Sequence, residues 1–311
     1  MAGRQDQHVV TYSKDSLPSG TVYHKWTIPN ARGTLILQHG FGEYSCRYMD
    51  GKLPLGPRLH ELGFDIWAMD LWGHGESPGT WSVVHIGKAV DDHVTLRHIA
   101  AECNLPVFLL GHSLGGLVTS VSITADGSGV QGVILSSPEL TRPVPGMLRT
   151  IVGLGAAFQR QGSVPGTYNP PEGLSRVQEE VKTFKEDERN YHGGIGLLLA
   201  ATALDVGTRI WSAVGNWQVP TLVIHGDADK FTKFEVSKQF FESISTTDRH
   251  FYAVEGGYHE LMRDLESEKV FDLIHNWLQV KSSKQLPLSF STTVKGKEIE
   301  LEFESSGIVD A

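Results

Sequence analysis

The chain has 311 residues, with 27 basic against 36 acidic side chains and a net charge of −9. That length allows one large domain or two small ones, and the acidic balance excludes a general nucleic-acid surface and a polybasic membrane anchor. Its two cysteines, Cys46 and Cys103, exclude a disulfide framework and lack metal-ligand spacing.

The N-terminal MAGRQDQHVV lacks the apolar core of a signal peptide. The most apolar later stretch, residues 195–204, is too short to span a bilayer. A soluble, cytoplasmic protein is therefore expected, with no more than peripheral membrane contact. Residues 9–27 alternate polar and apolar side chains around Pro18-Ser19-Gly20, which predicts an antiparallel hairpin at a sheet edge. TLILQ (34–38) is an unbroken apolar run suited to a strand buried on both faces. Residues 58–62 close a helix that Gly63 stops, and FDIWAMD (64–70) is a strand leading into the loop WGHGESPG. A helix follows over 87–103, then the strand PVFLL (106–110), a helix over 117–125 and the strand GVILSSP (132–138). Such alternation predicts an α/β fold, a mostly parallel sheet with helices on both faces. Ligands bind such sheets outside the carboxyl ends of the strands, where Gln38-His39-Gly40, Asp70 and Ser113 fall.

The rhythm changes over residues 139–219. Prolines and glycines cluster between 141 and 173, and helical segments are expected at 147–158, 175–185 and 194–206, with no strong strand. This stretch reads as a helical cap over the sheet's active edge. Its first segment, MLRTIVGLGAAF, is foremost a helix packed on the core domain; the sharper alternative is a surface that touches lipid or lines an acyl tunnel. Strand character returns at TLVIHG (221–226), followed by a helix over 231–244, the strand and turn RHFYAVEGG (249–257) and an amphipathic helix over 269–280. The expected organisation is a core in two parts, 1–138 and 220–280, a cap at 139–219 and a tail at 281–311. TTVKGKEIELEFE in that tail predicts a hairpin across Lys295-Gly296-Lys297.

GHSLGG (111–116) lies between the strand PVFLL and a helix. A G-x-S-x-G sequence at such a junction is either a plain tight turn or a nucleophile elbow, whose strained turn lifts the serine hydroxyl out of the sheet. Strand and helix on either side favour the elbow, with Ser113 as nucleophile and the Leu114 amide facing an incoming carbonyl. A serine hydroxyl needs a base within hydrogen-bond reach. Of fourteen histidines, His259 in EGGYHE stands where the last strand delivers a side chain to the same edge. His39, His74 and His112 read as serving the turns they occupy, and the others as surface residues. The acid that orients the base is Asp227 or Asp229 in HGDADK; position along the chain does not separate them, but the order Ser, Asp, His is that of the hydrolase fold. HGFGE after the first buried strand offers the Phe41 amide as second oxyanion donor, against a bland reading as a glycine turn.

Taken together, HGFGE, DLWGHGES, GHSLGG, HGDADK and EGGYHE resemble, in order, the monoacylglycerol lipase family of α/β-hydrolases over roughly residues 33–278. The resemblance implies an α/β-hydrolase fold and places the acid of the G-x-x-D turn at Asp229, with Ser113, His259, Phe41 and Leu114 in the roles above. It also makes Glu43 and Arg47 candidate contacts for the substrate's polar end, against a surface ion pair. Three positions depart from the pattern: Met262 replaces a second histidine, Phe184 a cap tyrosine, and Phe41 a smaller residue. All three make the expected substrate pocket less polar.

The expected activity is hydrolysis of a fatty-acyl ester, monoacylglycerol foremost, through an acyl-enzyme and without metal or organic cofactor. The alternatives are a lysophospholipase, broad carboxylesterase or acyltransferase, and from another class a ligand receptor on a hydrolase fold. Expected partners are a small lipid or ester and, through the cap, a membrane surface.

Overall fold

The computed structural model describes residues 9–50, 54–168, 170–283, 291–295 and 298–302. An edge hairpin, β1 (Thr11–Ser16) and β2 (Val22–Thr27), opens the chain, turning through Pro18-Ser19-Gly20 as the alternation requires. Then come β3 (Gly33–Gln38), α1 (Leu55–Glu61), β4 (Phe64–Met69), α2 (Ile86–Ala101), β5 (Val107–His112), α3 (Leu114–Ala125) and β6 (Val130–Ser136). After a long helical stretch the sheet resumes with β7 (Thr221–Gly226), α7 (Phe234–Ser243), β8 (Arg249–Val254) and α8 (Ser267–Ser282). The eight strands lie in the order β1-β2-β4-β3-β5-β6-β7-β8. Among the described pairings of this eight-stranded sheet, only β1–β2 and β2–β4 are antiparallel.

β3, β4, β5 and β7 are buried at every residue, which is why they read as continuous apolar runs rather than alternating ones. Successive side chains still point to opposite faces. Ile36, Leu109, Val133 and Val223 join the core against α2, α3 and α7. Leu35, Leu37, Phe108, Leu110 and Ile134 pack on the other face with α1 and α8. Each such side chain contributes about 1.5–3 kcal/mol on burial, and the resulting layers hold the strand ends in register.

Between β6 and β7 lie α4 (Gly146–Phe158), α5 (Gln178–Glu186) and α6 (Leu197–Ala213). Two expectations need correction here. The third helix was expected to end at Val206, yet α6 runs seven residues further. Gly207 interrupts the apolar pattern without ending the helix: a Cβ there would fall 2.9 Å from the Thr141 carbonyl oxygen, so the glycine serves close packing. With the short helix Val214–Asn216 the apolar segment reaches 20 residues, long enough by length and composition to cross a membrane. Leu199, Ala203, Val206 and Ile210 nevertheless join the main core, so α6 is partly a core helix. The favoured reading of α4 also fails. α4 packs on α6 rather than on the sheet, with only Ala156 buried, and Met147, Ile151, Leu154 and Phe158 are exposed.

α7 begins at Phe234 rather than near 231, because the Asp229 carboxylate takes the Phe231 and Thr232 amides into a turn. In the tail, β9 (Ser291–Lys295) and β10 (Glu298–Glu302) pair antiparallel as a separate ribbon, as the alternation predicts. Gly296 and Lys297 at its turn lie outside the described residues.

Candidate active site

Ser113 joins β5 directly to α3 and holds φ 52°, ψ −120°. A positive φ on a non-glycine residue costs of order 1–3 kcal/mol, so the surroundings must fix it. The Ser113 amide donates to Ser136 O at 3.1 Å, and Ser113 O accepts from the amides of Gly116 and Glu139, both at 2.9 Å. A Cβ at Gly115 would sit 2.1 Å from Gln38 O. Glycine there lets the first turn of α3 lie against the end of β3.

His259 follows β8 through Gly256-Gly257, and its Nδ1 lies 2.8 Å from Asp229 Oδ2. The same oxygen accepts from Thr232 Oγ1 at 2.8 Å and lies 3.2 Å from His225 Nε2, while Oδ1 takes the Phe231 and Thr232 amides at 2.7 and 3.1 Å. Burial opposes ionisation of Asp229, but the His259 charge and hydrogen bonds from His225 and His259 hold its carboxyl well below the usual carboxylate range. Burial pulls His259 down, and the Asp229 charge and hydrogen bond overcome it, leaving the imidazole above its ordinary 6.5. Phe231 stacks on this ring with centroids 5.0 Å apart. Asp227 is exposed, and its Oδ1 accepts the Gly256 amide at 2.6 Å. Of the two aspartates, Asp229 is the one that reaches His259.

The loop after β3 runs beside Ser113: a Cβ on Gly40 would be 3.0 Å from that of Ser113. The peptides flanking Phe41 are pinned. Gly40 N donates to Glu43 Oε1 at 2.7 Å, Gly42 N donates to His74 Nε2 at 3.1 Å, and Gly42 O accepts from Tyr191 N at 2.8 Å. The Phe41 ring meets His74 and Tyr191 edge-on. His39 bridges Gly40 O at 2.7 Å and the Leu71 amide at 3.0 Å. Burial drives His74 down to about 3 and His112 to about 4, so these two turn histidines are neutral near pH 7. That fits their structural contacts.

Glu43 and Arg47 do not form a surface pair; both are buried. Arg47 donates to Glu43 Oε2 at 2.9 Å and, in a two-pronged contact, to Glu260 at 2.7 and 2.8 Å. Glu43 Oε1 also accepts from Tyr48 Oη at 2.8 Å. Burial works against the Glu43 charge, and Arg47 together with the Gly40 amide keeps it ionised. Arg47 therefore braces the loop that carries Phe41.

A cavity of about 490 Å³ contains Ser113, His259, Phe41, Leu114, Glu43 and Phe184 in its lining. Met262 is not among those residues. The Leu261–Arg263 turn sends it into the opposite core layer with Leu261 and Val270, beside a small void that it shares with Arg47. Both therefore stand apart from the main cavity, contrary to the substrate-contact expectation.

Sequence reading also missed buried groups. His24, His60, His93 and His225 were expected at the surface, yet all are buried. Their apolar neighbours in strands and helices were the available signal. His24 Nε2 lies 3.0 Å from Asp70 Oδ2, and Asp70 also takes the Ser45 and Glu76 amides, both at 2.8 Å, tying the loop after β4 to that after β3. Glu260, the partner of Arg47, sits next to His259 in sequence without any pattern to mark it.

Residues 29–266 match the family described as Hydrolase_4, serine aminopeptidase S33. The chain is 27% identical to a monoacylglycerol lipase of Mycolicibacterium smegmatis, covering 83% of this chain and 92% of that one. It is also 27% identical to human monoglyceride lipase, covering 81% and 84%. A crystal structure of Paleococcus ferrophilus monoacylglycerol lipase superposes with a TM-score of 0.72 at 28% identity, over 88% of this chain and 99% of that one. With the family matched across both parts of the sheet, the elbow and the strand-end loops, the chain belongs to the Hydrolase_4 (S33) family of α/β-hydrolases.

Proposed function

We propose that this protein is a serine ester hydrolase acting on a fatty-acyl monoester, monoacylglycerol foremost. The observation that carries the reading is the 2.8 Å contact of His259 Nδ1 with Asp229, in a site whose strained Ser113 lines the same cavity as that histidine. In this reading, Ser113 Oγ attacks the ester carbonyl while His259 Nε2 takes its proton. Asp229 holds the imidazole with Nδ1 protonated and stabilises the imidazolium that forms. The amides of Phe41 and Leu114 receive the oxyanion, each such donor being worth about 10²–10³ in turnover. His259 returns the proton to the leaving alcohol, and water activated by the same imidazole releases the acid.

The cavity volume lies in the range of about 300–1,000 Å³ usual for small-ligand sites. Leu148, Val152, Val164, Leu174 and Leu199 make part of its wall apolar, as an acyl chain requires. On this reading residues 139–219 are the cap. The exposed row Met147, Ile151, Leu154 and Phe158, the last 90% exposed, suits contact with a lipid surface from which substrate is drawn. The relatives named as monoacylglycerol lipases support this substrate class. Comparing kcat/KM across mono-, di- and triacylglycerols, lysophospholipids and simple esters tests the reading. A clear preference for monoacylglycerol is expected, and a preference for lysophospholipid would replace it.

A further inference from the structure

We propose that Glu139 and Thr141 form a polar subsite that binds a hydroxyl group carried close to the scissile ester. The inference rests on the ester-hydrolase reading and narrows its substrate class.

Glu139 follows the end of β6, and its amide donates to Ser113 O at 2.9 Å. Its backbone is thus fixed to the peptide of the nucleophile itself. Both Glu139 and Thr141 line the cavity that holds Ser113 and His259. Thr141 is held in turn by the cap: Trp211 Nε1 donates to Thr141 O at 3.0 Å, and Gly207 packs against it. Thr141 Oγ1 donates to Glu139 Oε1 at 3.1 Å.

Three glutamates reach this cavity, Glu43, Glu139 and Glu260. Arg47 forms an ion pair with both Glu43 and Glu260. Among the described residues no cation lies within ion-pairing distance of Glu139, and no donor is found for its Oε2. Burial raises the Glu139 carboxyl above its ordinary value. Glu139 is partly buried in a largely apolar wall, and its Oε2 keeps an open hydrogen-bonding position that a ligand hydroxyl can fill in place of water. A hydroxyl suits it in either protonation state, donating to the carboxylate or accepting from the acid proton. That hydroxyl can come from the alcohol part of the ester or from the acyl part.

The test uses three esters of one chain length: a glyceryl monoester, a plain methyl ester and a methyl 3-hydroxyalkanoate. The wild type should favour at least one hydroxyl-bearing ester over the plain one. Glu139→Leu should lower that ratio of kcat/KM values by about 10–100-fold, the span of one hydrogen bond to a charged group. Glu139→Gln, which still donates and accepts, should keep most of it. Loss confined to the glyceryl ester places the hydroxyl on the alcohol side, and loss confined to the hydroxyacyl ester places it on the acyl side. An unchanged ratio in Glu139→Leu, or no wild-type preference, overturns the subsite. A binding arm separates this outcome from failure of the hydrolase reading. Ser113→Ala, with and without Glu139→Leu, is titrated with 1-O-alkylglycerol and with the monomethyl ether of a long-chain 1,3-diol. Weaker binding of either ligand in the double variant supports the subsite even if no ester is turned over. Equal Kd values for both ligands overturn it.

Discussion

Replacing Asp229 by asparagine changes one oxygen to an amide nitrogen, and the surrounding donors dictate which one. Oδ1 takes two backbone amides, at 2.7 and 3.1 Å. The asparagine oxygen is therefore expected at that position and its NH2 at the Oδ2 position, facing His259 Nδ1, His225 Nε2 and the Thr232 hydroxyl. An NH2 there can only donate to His259 Nδ1, which drives the imidazole proton to Nε2. The base then has no free electron pair for the Ser113 proton. The expected loss is about 10⁴ in kcat, equivalent to about 5.4 kcal/mol of transition-state stabilisation. Asp227→Asn is the control: an asparagine oxygen can still accept the Gly256 amide at this exposed site, so little change is expected. Turnover of a soluble nitrophenyl ester, followed by absorbance with folding checked by thermal unfolding, measures both. A folded Asp229→Asn enzyme that keeps activity within about tenfold of wild type, or a greater loss in Asp227→Asn, refutes the tautomer reasoning.

Arg47→Leu leaves Glu43 and Glu260 buried without their cation and should destabilise the fold by about 3–5 kcal/mol; urea unfolding that shows less than about 1 kcal/mol would contradict the brace assigned to Arg47. The base must be neutral to accept a proton, and Asp229 raises the His259 pKa above 6.5. Activity, read as kcat/KM, should therefore fall as pH drops through a midpoint above 6.5, and a midpoint well below it would contradict the pairing. Ile151→Ser combined with Phe158→Ser should lower hydrolysis of an ester embedded in vesicles more than that of a soluble ester, since both side chains are exposed on α4. Equal effects on the two substrates would remove the lipid-contact role of this face.

Fold and site were legible in the sequence to different depths. TLILQ, FDIWAMD and PVFLL declared themselves as strands because their burial on both faces leaves no regular alternation of polar and apolar positions. GHSLGG declared the elbow because close helix–strand approach demands glycine at 115. Pairings across the chain were not legible. Arg47 meets Glu260 across 213 positions, and His24 meets Asp70 from a different strand, partners that no local pattern names. Asp227 and Asp229 look alike on a line; in space one reaches Gly256 and the other His259. Gly207 and the exposed apolar face of α4 mislead for a related reason. Period and composition do not say what a helix packs against.

In the proposed reaction Ser113, on its strained turn, is the nucleophile of an acyl-transfer site. Treatment with a fluorophosphonate ester, followed by intact mass and peptide mapping, tests it most directly. One adduct per chain at Ser113, with Ser113→Ala neither labelled nor able to hydrolyse esters, is the predicted result. Stoichiometric labelling at another residue, or undiminished hydrolysis by a folded Ser113→Ala variant, would contradict it.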